Sequence, residues 1–255
     1  MKKFKTLEKV VGHRVKTRVS ASYAPFSIMG DYCVRYGTEP VNRYRITWEY
    51  FYSDDEDDDN DGYETIAAAE IWSVTDFENF EQATEYMDEC SQETYDSVIY
   101  SEEYYKKYPE RCERLKSVYE CDEEVYLYNL HTFYVSPKFR NKGIATMLIY
   151  QLPELMMQLG LVNGLMYTCI NPFTRQDIDL SNNENIFSED QIEYSYQETE
   201  ESQKIADILR KLLEKCGFST VDDKDHYIVS MQYLREQAVK NKVLEIIGCD
   251  VWEHE

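Results

Sequence analysis

The sequence lacks the cysteine and histidine spacing that would hold a structural metal. Its seven cysteines are scattered, odd in number and without a Cys-x-x-Cys pair, and none of its four histidines stands at ligand spacing from them. This pattern argues against a zinc site and against a disulfide framework. Reduced thiols are typical of the cytoplasm, so we expect a cytoplasmic protein without a metal.

The sequence also lacks a long apolar run. Its longest apolar stretch, around 144–162, is interrupted by Gln151, Pro153 and Glu154. The basic residues at the N-terminus are not followed by a hydrophobic segment. We therefore expect neither a signal peptide nor a membrane-spanning segment.

Positive charge is scarce, because 27 lysines and arginines stand against 49 acidic residues and give a formal net charge of −22. Binding of a nucleic acid requires local Lys and Arg to displace counterions, so we expect no nucleic-acid partner. An acidic surface attracts cations, which favours an acceptor such as a polyamine, an aminoglycoside, a basic peptide or a lysine tail. The alternative is that the charge only keeps the protein soluble.

An acidic segment, Asp54–Gly62, lies between two strand-like stretches at 43–52 and 63–74. Three of its aspartates alternate as in a calcium loop, but Ala68 stands where a bidentate glutamate would close the cage. A solvated acidic hairpin loop is therefore the stronger interpretation than a calcium site.

The segment from residue 125 to residue 160 changes from a strand pattern to a helix pattern. Aromatic and aliphatic residues up to Val135 favour a strand, and Ser136-Pro137 stops it because proline cannot donate to a ladder. From Ile144 the apolar residues recur at threes and fours up to Leu159, before Gly160. The sequence predicts a strand, a turn and a helix.

The turn has the properties of an anion site. A helix that begins at Ile144 would direct unpaired backbone N–H groups and the positive end of its dipole toward the turn. Gly143 lets an anion approach the backbone closely, and the side chain of Ala145 is too small to obstruct that approach. Arg140 and Lys142 add positive charge. The alternative is an ordinary strand–helix junction on a polar surface.

The pattern Val-x-Pro-x-x-Arg-x-x-Gly-x-Ala, over Val135–Ala145, resembles the acetyl-CoA signature of the GNAT acetyltransferase superfamily. Further elements follow in the order of that family. They are a strand at 164–170, a helix at 203–216, the turn Gly217-Phe218 and a strand at 226–231. The resemblance implies an α/β (α+β) fold with a mixed, mostly antiparallel sheet flanked by helices.

The resemblance also implies residue roles. In that family two strands separate and the pantetheine arm of CoA lies between them, while the loop amides hold the pyrophosphate. Carried over, the pantetheine would contact Phe133, Tyr134 and Val135. The pyrophosphate would contact Arg140, Asn141, Lys142, Gly143, Ile144 and Ala145.

Strand alternation would place Asn129, His131, Phe133 and Val135 on one face. GNAT members place the base or base-linked groups on this face, and the arylalkylamine N-acetyltransferases resemble the chain in having a histidine four residues before the valine. The resemblance therefore implies His131 and Asn129 as the catalytic candidates. The alternative for His131 is a structural histidine satisfied within the strand.

The chain departs from the family in several places. We predict one domain over 1–255, with a helical insertion at about 76–119, a polar loop insertion at about 172–202 and a C-terminal helix at about 232–247 that could cover a sheet edge or form a homodimer. Leu213 stands where many members have the tyrosine that acts as general acid, and Ala206 where an asparagine is frequent. Other candidates for the acid are Tyr167, Tyr194 and Tyr196.

These features together favour an acetyl-CoA-dependent N-acetyltransferase acting on a primary amine, either a cationic small molecule or a peptide. Leu213 motivates the alternative, a degenerate CoA-binding GNAT domain that acts as a regulator or binding module. A third class, an acidic mimic of nucleic acid, rests on charge alone.

Overall fold

The computed structural model describes residues 11, 15–23, 41–51, 63–74, 80–88, 92–112, 126–158, 164–170, 199–221, 225–240 and 249–253. Its strands are β1 (Val15–Tyr23), β2 (Val41–Phe51), β3 (Tyr63–Val74), β4 (Tyr126–Val135), β5 (Gly164–Cys169), β6 (Ser219–Thr220), β7 (His226–Ser230) and β8 (Cys249–Glu253). Its α-helices are α1 (Phe80–Asp88), α2 (Gln92–Lys107), α3 (Ile144–Gln158), α4 (Glu200–Cys216) and α5 (Met231–Lys240). Two 3₁₀ turns cover Pro109–Cys112 and Pro137–Phe139.

The eight strands form one mixed sheet in the order β6-β7-β5-β4-β3-β2-β1-β8. The β4–β5 and β1–β8 pairs are parallel, and the other neighbours are antiparallel. The mixed, mostly antiparallel sheet that the sequence predicts is therefore confirmed. Assignment of the whole chain to one domain stays a prediction.

Each face of the sheet carries its own hydrophobic core. On one face, α3, α4 and α5 contribute residues such as Leu148, Leu213 and Leu234. On the opposite face, α1 and α2 contribute Ala83 and Val98. We call these the α3 face and the α2 face. The helices thus form outer layers that cover the apolar positions of the strands.

The β2–β3 hairpin shows how strand alternation separates the two faces. Tyr44, Ile46 and Trp48 point into the α3-face core, because alternate residues of a strand share a face. The intervening positions include Arg43 and Arg45, whose side chains lie on the α2 face. The sheet is therefore apolar on one side at β2 and charged on the other.

The helical insertion is confirmed in its described part, where α1 and α2 lie between β3 and β4. The helix α2 ends at Lys107, two residues before Pro109, and Pro109 begins a 3₁₀ turn, where its missing N–H is not needed. The helix α4 begins three residues earlier than expected. Thr199 caps it through a bond from the Ser202 amide, so Glu200–Ser202 are helical and not part of the polar loop.

The C-terminal helix is described over Met231–Lys240, and β8 follows it. This strand was not predicted, and it pairs in parallel with β1. The strand β8 therefore covers the β1 edge of the sheet. The acidic segment Asp54–Gly62 and the remainder of the predicted polar loop, 172–198, lie outside the described residues.

In the part of the chain that the structure describes, none of the helices combines the length and hydrophobicity that crossing a bilayer requires.

Candidate functional site

The strands β4 and β5 pair over only four residues before they separate. Their last shared rung joins Asn129 to Tyr167, although β4 continues to Val135 and β5 to Cys169. One residue beyond this rung, the Thr168 hydroxyl donates to the Leu130 carbonyl at 3.0 Å. The backbone ladder between β4 and β5 therefore ends at Asn129 and Tyr167, in the region where the resemblance implies that the strands separate.

The turn after β4 is fixed to the neighbouring strand. The Ser136 amide donates to the Ile66 carbonyl at 2.9 Å, and Phe139 is buried in the α3-face core. Asn141 and Gly143 then take φ values of 61° and 81°. These left-handed conformations turn the chain into α3, and glycine adopts them without strain.

The N-terminus of α3 faces open space at Gly143. A Cβ placed on this glycine would meet nothing within 4 Å. The first amides of α3 have no i−4 carbonyl to bond, and the helix dipole adds partial positive charge there. An anion could therefore approach the backbone without a steric barrier from Gly143.

Two basic side chains border this opening. Arg140 Nε donates to the Val135 carbonyl at 2.9 Å, and its guanidinium lies 5.6 Å from the centre of the Tyr134 ring. Lys142 Nζ lies 5.3 Å from the centre of the Phe139 ring. Amides, open space and two cations together have the chemistry that fits the diphosphate of CoA.

The predicted shared face of β4 is wrong because the strand contains a β-bulge. Glu70 pairs with Thr132 and Ile71 with Leu130, so His131 is the extra residue. A bulge shifts the alternation by one position. Phe133 and Val135 consequently pack against the α3-face core, whereas Asn129 shares the α2 face with its partners Trp72 and Tyr167.

The two predicted catalytic residues do lie near each other on β4. Asn129 is fully buried, and neither amide atom has a hydrogen-bond partner in the described part of the molecule. An unsatisfied buried polar group costs about 1–3 kcal/mol, so such a group calls for a functional explanation. His131 is half-buried, and its ring meets the edge of Trp72 at 6.1 Å.

Beside these residues lies a buried carboxylate that sequence reasoning missed. Glu70 is 2% exposed and accepts hydrogen bonds from Arg43 at 2.7 Å, Arg45 at 2.9 Å and Trp72 at 3.0 Å. Burial by itself would raise the pKa of this carboxyl, but the hydrogen bonds and the charge of Arg43, with Trp72 and Arg45, lower it below its ordinary value. Glu70 is therefore ionised at neutral pH and unsuited to act as a base. The sequence feature that could have indicated this carboxylate is the pair Arg43 and Arg45, which lie two residues apart on one face of a strand.

On β5 and β7, Tyr167 contacts a residue that the sequence did not predict, His226. The Tyr167 hydroxyl lies 2.7 Å from His226 Nδ1, and the Tyr100 ring of α2 stacks on the imidazole at 3.9 Å. Tyr167 is one of the candidate acids predicted from the sequence, whereas no local pattern points to His226. Tyr194 and Tyr196 lie outside the described residues.

The position of the usual family acid holds a side chain that has no proton to donate. Leu213 is 7% exposed and belongs to the α3-face core, as does Ala206, which is fully buried. After Leu213, α4 ends at Gly217, whose φ of 97° allows the cap bonds to the carbonyls of Glu214 and Leu213. A proton donor for a departing thiolate would therefore have to come from another element.

The described residues contain no group of three or more His, Cys, Asp or Glu side chains arranged to hold a metal ion.

A family model described as "Acetyltransferase (GNAT) family" matches residues 44–179 of the chain. Two solved structures are similar at low level. One is a chain of "The crystal structure of KacTA-DNA complex", with 8% identity, a TM-score of 0.35 and coverage of 89% of this chain and 99% of that one. The other is arylalkylamine N-acetyltransferase 2 from Aedes aegypti, with 16% identity, a TM-score of 0.27 and coverage of 73% and 70%. No curated protein sequence matches the chain.

Proposed function

Because the chain belongs to the acetyltransferase (GNAT) family, we propose that it transfers the acetyl group of acetyl-CoA to a primary amine. The observation that carries this proposal is the open N-terminus of α3 at Gly143, next to the gap between β4 and β5. The helix terminus is suited to bind a diphosphate. The gap between the strands next to it is suited to bind an extended arm. Acetyl-CoA supplies the activated thioester, and the chain's own residues hold and orient it.

In this proposal the loop Arg140, Asn141, Lys142, Gly143, Ile144 and Ala145 binds the pyrophosphate. Its backbone amides supply directed hydrogen bonds, while Arg140 and Lys142 supply charge. The pantetheine contacts the end of β4 at Phe133, Tyr134 and Val135. Since Phe133 and Val135 face α3, the arm meets their backbone and the Tyr134 side of the strand.

His131 is proposed as the base that takes the amine proton, directly or through a water molecule, and Asn129 as a polar group that contacts the reacting atoms. The unbonded amide of Asn129 supports this role, because a substrate oxygen or N–H would satisfy it. The bulge at His131 also supports it, since bulges often direct a side chain toward a site.

We propose further that the acceptor is a cationic amine. The net charge of −22 attracts cations over long range. Near the site the guanidinium groups of Arg43 and Arg45 disfavour a second positive charge, so a bound amine would be more nucleophilic in its neutral form. Long-range attraction and local deprotonation are thus compatible.

The test is incubation of the purified protein with acetyl-CoA and a panel of primary amines, read by release of free thiol and by mass of the acetylated product. Turnover with at least one amine is expected. A CoA-binding regulator is the second candidate, motivated by the burial of Leu213 at the usual acid position. Tight CoA binding without turnover of any amine would favour that candidate, and absence of CoA binding would overturn both.

A further inference from the structure

Three aromatic rings from three different elements stack beside the separation of β4 and β5. Tyr100 of α2 lies 3.9 Å from His226 of β7 and 6.1 Å from Tyr167 of β5, and the rings are within 25° of parallel. Tyr167 is fully buried, whereas His226 is half-buried. Stacking on both partners fixes the orientation of the phenol and the imidazole.

The sheet register places this group at the start of the gap. Tyr167 is the last residue of β5 that pairs with β4, and His226 pairs with Cys169, two residues further along. The 2.7 Å contact between the Tyr167 hydroxyl and His226 Nδ1 therefore reaches from the closed part of the sheet to the level where the strands have separated.

The neighbour of Tyr167 on the shared rung gives independent evidence for a ligand. Asn129 is fully buried, lies on the same face and has no hydrogen bond at either amide atom in the described part of the molecule. Buried amides are almost always paired. A polar ligand group that enters the gap between the strands would reach this amide and the adjacent phenol together.

We propose that Tyr167, oriented by His226, is the general acid that protonates the departing thiolate. This inference rests on the proposed function. The nitrogen–carbon bond forms as the carbon–sulfur bond breaks, and the sulfur leaves with the bonding electron pair and takes the Tyr167 proton. The base takes the proton that the attacking nitrogen loses and releases it to solvent, and a proton from solvent restores the phenol. In this arrangement the His226 Nδ1–H group donates to the phenol oxygen, which leaves the hydroxyl proton free for sulfur. Tyr167 thus fills the role that the buried Leu213 cannot perform.

The decisive variant is Tyr167→Phe, which removes one oxygen and keeps the ring stack. We expect kcat with acetyl-CoA to fall about 100-fold, the lower range for loss of a general acid. The matched control is Tyr104→Phe, a tyrosine of the same core that is 1% exposed and bonded to Arg111 instead. This control should keep kcat within about twofold, since Tyr104 contacts neither the phenol of Tyr167 nor His226 in the proposed acid pair.

A second measurement does not depend on turnover. A phenol that donates to sulfur stabilises the thiolate, so the thiol pKa of bound CoA, read by ultraviolet absorbance, should be lower in the wild type than in Tyr167→Phe. His226→Ala should lower kcat, and His226→Asn should recover most of the loss because its amide can bond the phenol near the position of Nδ1. Recovery distinguishes an orienting role from a merely structural one.

Leaving-group acidity gives the third measurement. Acetyl thioesters with more acidic thiols need less help to leave, so the ratio of wild-type to Tyr167→Phe rates should shrink with such donors. Should Tyr167→Phe fail to fold, the wild type decides, because acid assistance makes its rate depend weakly on thiol acidity. A steep dependence, or a folded Tyr167→Phe with wild-type kcat and thiol pKa, would overturn the inference. If instead the wild type acetylates no amine, the proposed function itself fails.

Discussion

Arg210 of α4 binds Asp225 through two hydrogen bonds of 2.6 Å each, one to each carboxylate oxygen. Asp225 has a φ of 64°, and its carbonyl accepts from the Ile170 amide at 3.0 Å. This pair therefore fixes the end of β5 and the residue directly before His226. The helix α4, on the α3 face, thus helps to position His226, whose ring stacks on Tyr100 of α2 on the opposite face.

The first prediction concerns this pair. Arg210→Ala should lower the free energy of unfolding by about 1–2 kcal/mol, because it removes charge-assisted bonds from a carboxylate that is only 15% exposed. Arg210→Lys should recover little of the loss, since an ammonium cannot form both bonds of the fork. Asp207→Asn is the control, because Asp207 is 57% exposed and also binds Arg210. Denaturant titration measures all three. Equal effects of Arg210→Ala and Asp207→Asn would contradict the prediction.

Glu70 gives a prediction about acid stability. Its pKa is lowered in the folded protein, so its contribution is present above the unfolded pKa and is lost as the pH falls through the folded pKa. Glu70→Gln should therefore cost about 3 kcal/mol at neutral pH, with the difference from wild type shrinking below about pH 4.

The matched control for Glu70 is Glu64→Gln. Glu64 also forms an ion pair, at 2.6 Å with Lys138, but both side chains are more exposed, at 28% and 58%. Its loss should cost under about 1 kcal/mol. Thermal unfolding from acid to neutral pH measures both variants, and a pH-independent cost for Glu70→Gln would count against the ionised carboxylate.

Gly143 gives a prediction about CoA affinity. Asparagine and aspartate both tolerate a positive φ and have nearly the same shape, so Gly143→Asn and Gly143→Asp differ mainly in charge. Both should weaken CoA binding, and Gly143→Asp should weaken it about tenfold further because its carboxylate repels the pyrophosphate at the helix N-terminus. Calorimetry with CoA decides this. Unchanged affinity in folded Gly143→Asp would remove the basis for the pyrophosphate assignment.

The motif and the order of elements could be predicted from local sequence, because Ser136-Pro137 and the period after Ile144 depend on neighbouring residues. The bulge could not. His131 is extra only relative to β3, and pairing of Glu70 with Thr132 depends on residues some 60 positions away. The prediction that Phe133 and Val135 share a face with Asn129 was wrong for this reason, since a single inserted residue reverses the alternation that follows it.

The contact between Tyr167 and His226 and the strand β8 were missed for a related reason. Tyr167 and His226 meet through the pairing of β5 with β7, a distance of 59 residues in the chain. The strand β8 contains Val251 and Trp252, which favour a strand, but five residues are too short to form a stable strand alone, and β8 pairs with β1, which is distant in the sequence. Contacts between distant segments, and not local propensity, position both.

Ionic strength gives a test of the acceptor class. If the net charge of −22 steers a cationic amine, kcat/KM should fall as added salt shortens the Debye length below about 8 Å. The value of kcat should change little, because screening acts mainly on encounter. A neutral amine in the same panel is the control and should show no decline. Salt-independent kcat/KM for every acceptor would contradict the cationic class.

The last prediction concerns His131, which stands at the bulge beside Trp72 and two residues after the unbonded amide of Asn129. A neutral imidazole can take a proton from an amine at neutral pH. His131→Ala should therefore lower kcat by about 10- to 1,000-fold near neutral pH and leave CoA affinity nearly unchanged. The loss should shrink as the pH rises, because the amine then reaches the site already deprotonated. Trp72→Phe keeps an aromatic neighbour for the imidazole and serves as the packing control, with a much smaller effect on kcat. Wild-type kcat for His131→Ala between about pH 6 and 9 would make His131 a structural residue and assign proton removal to a water molecule.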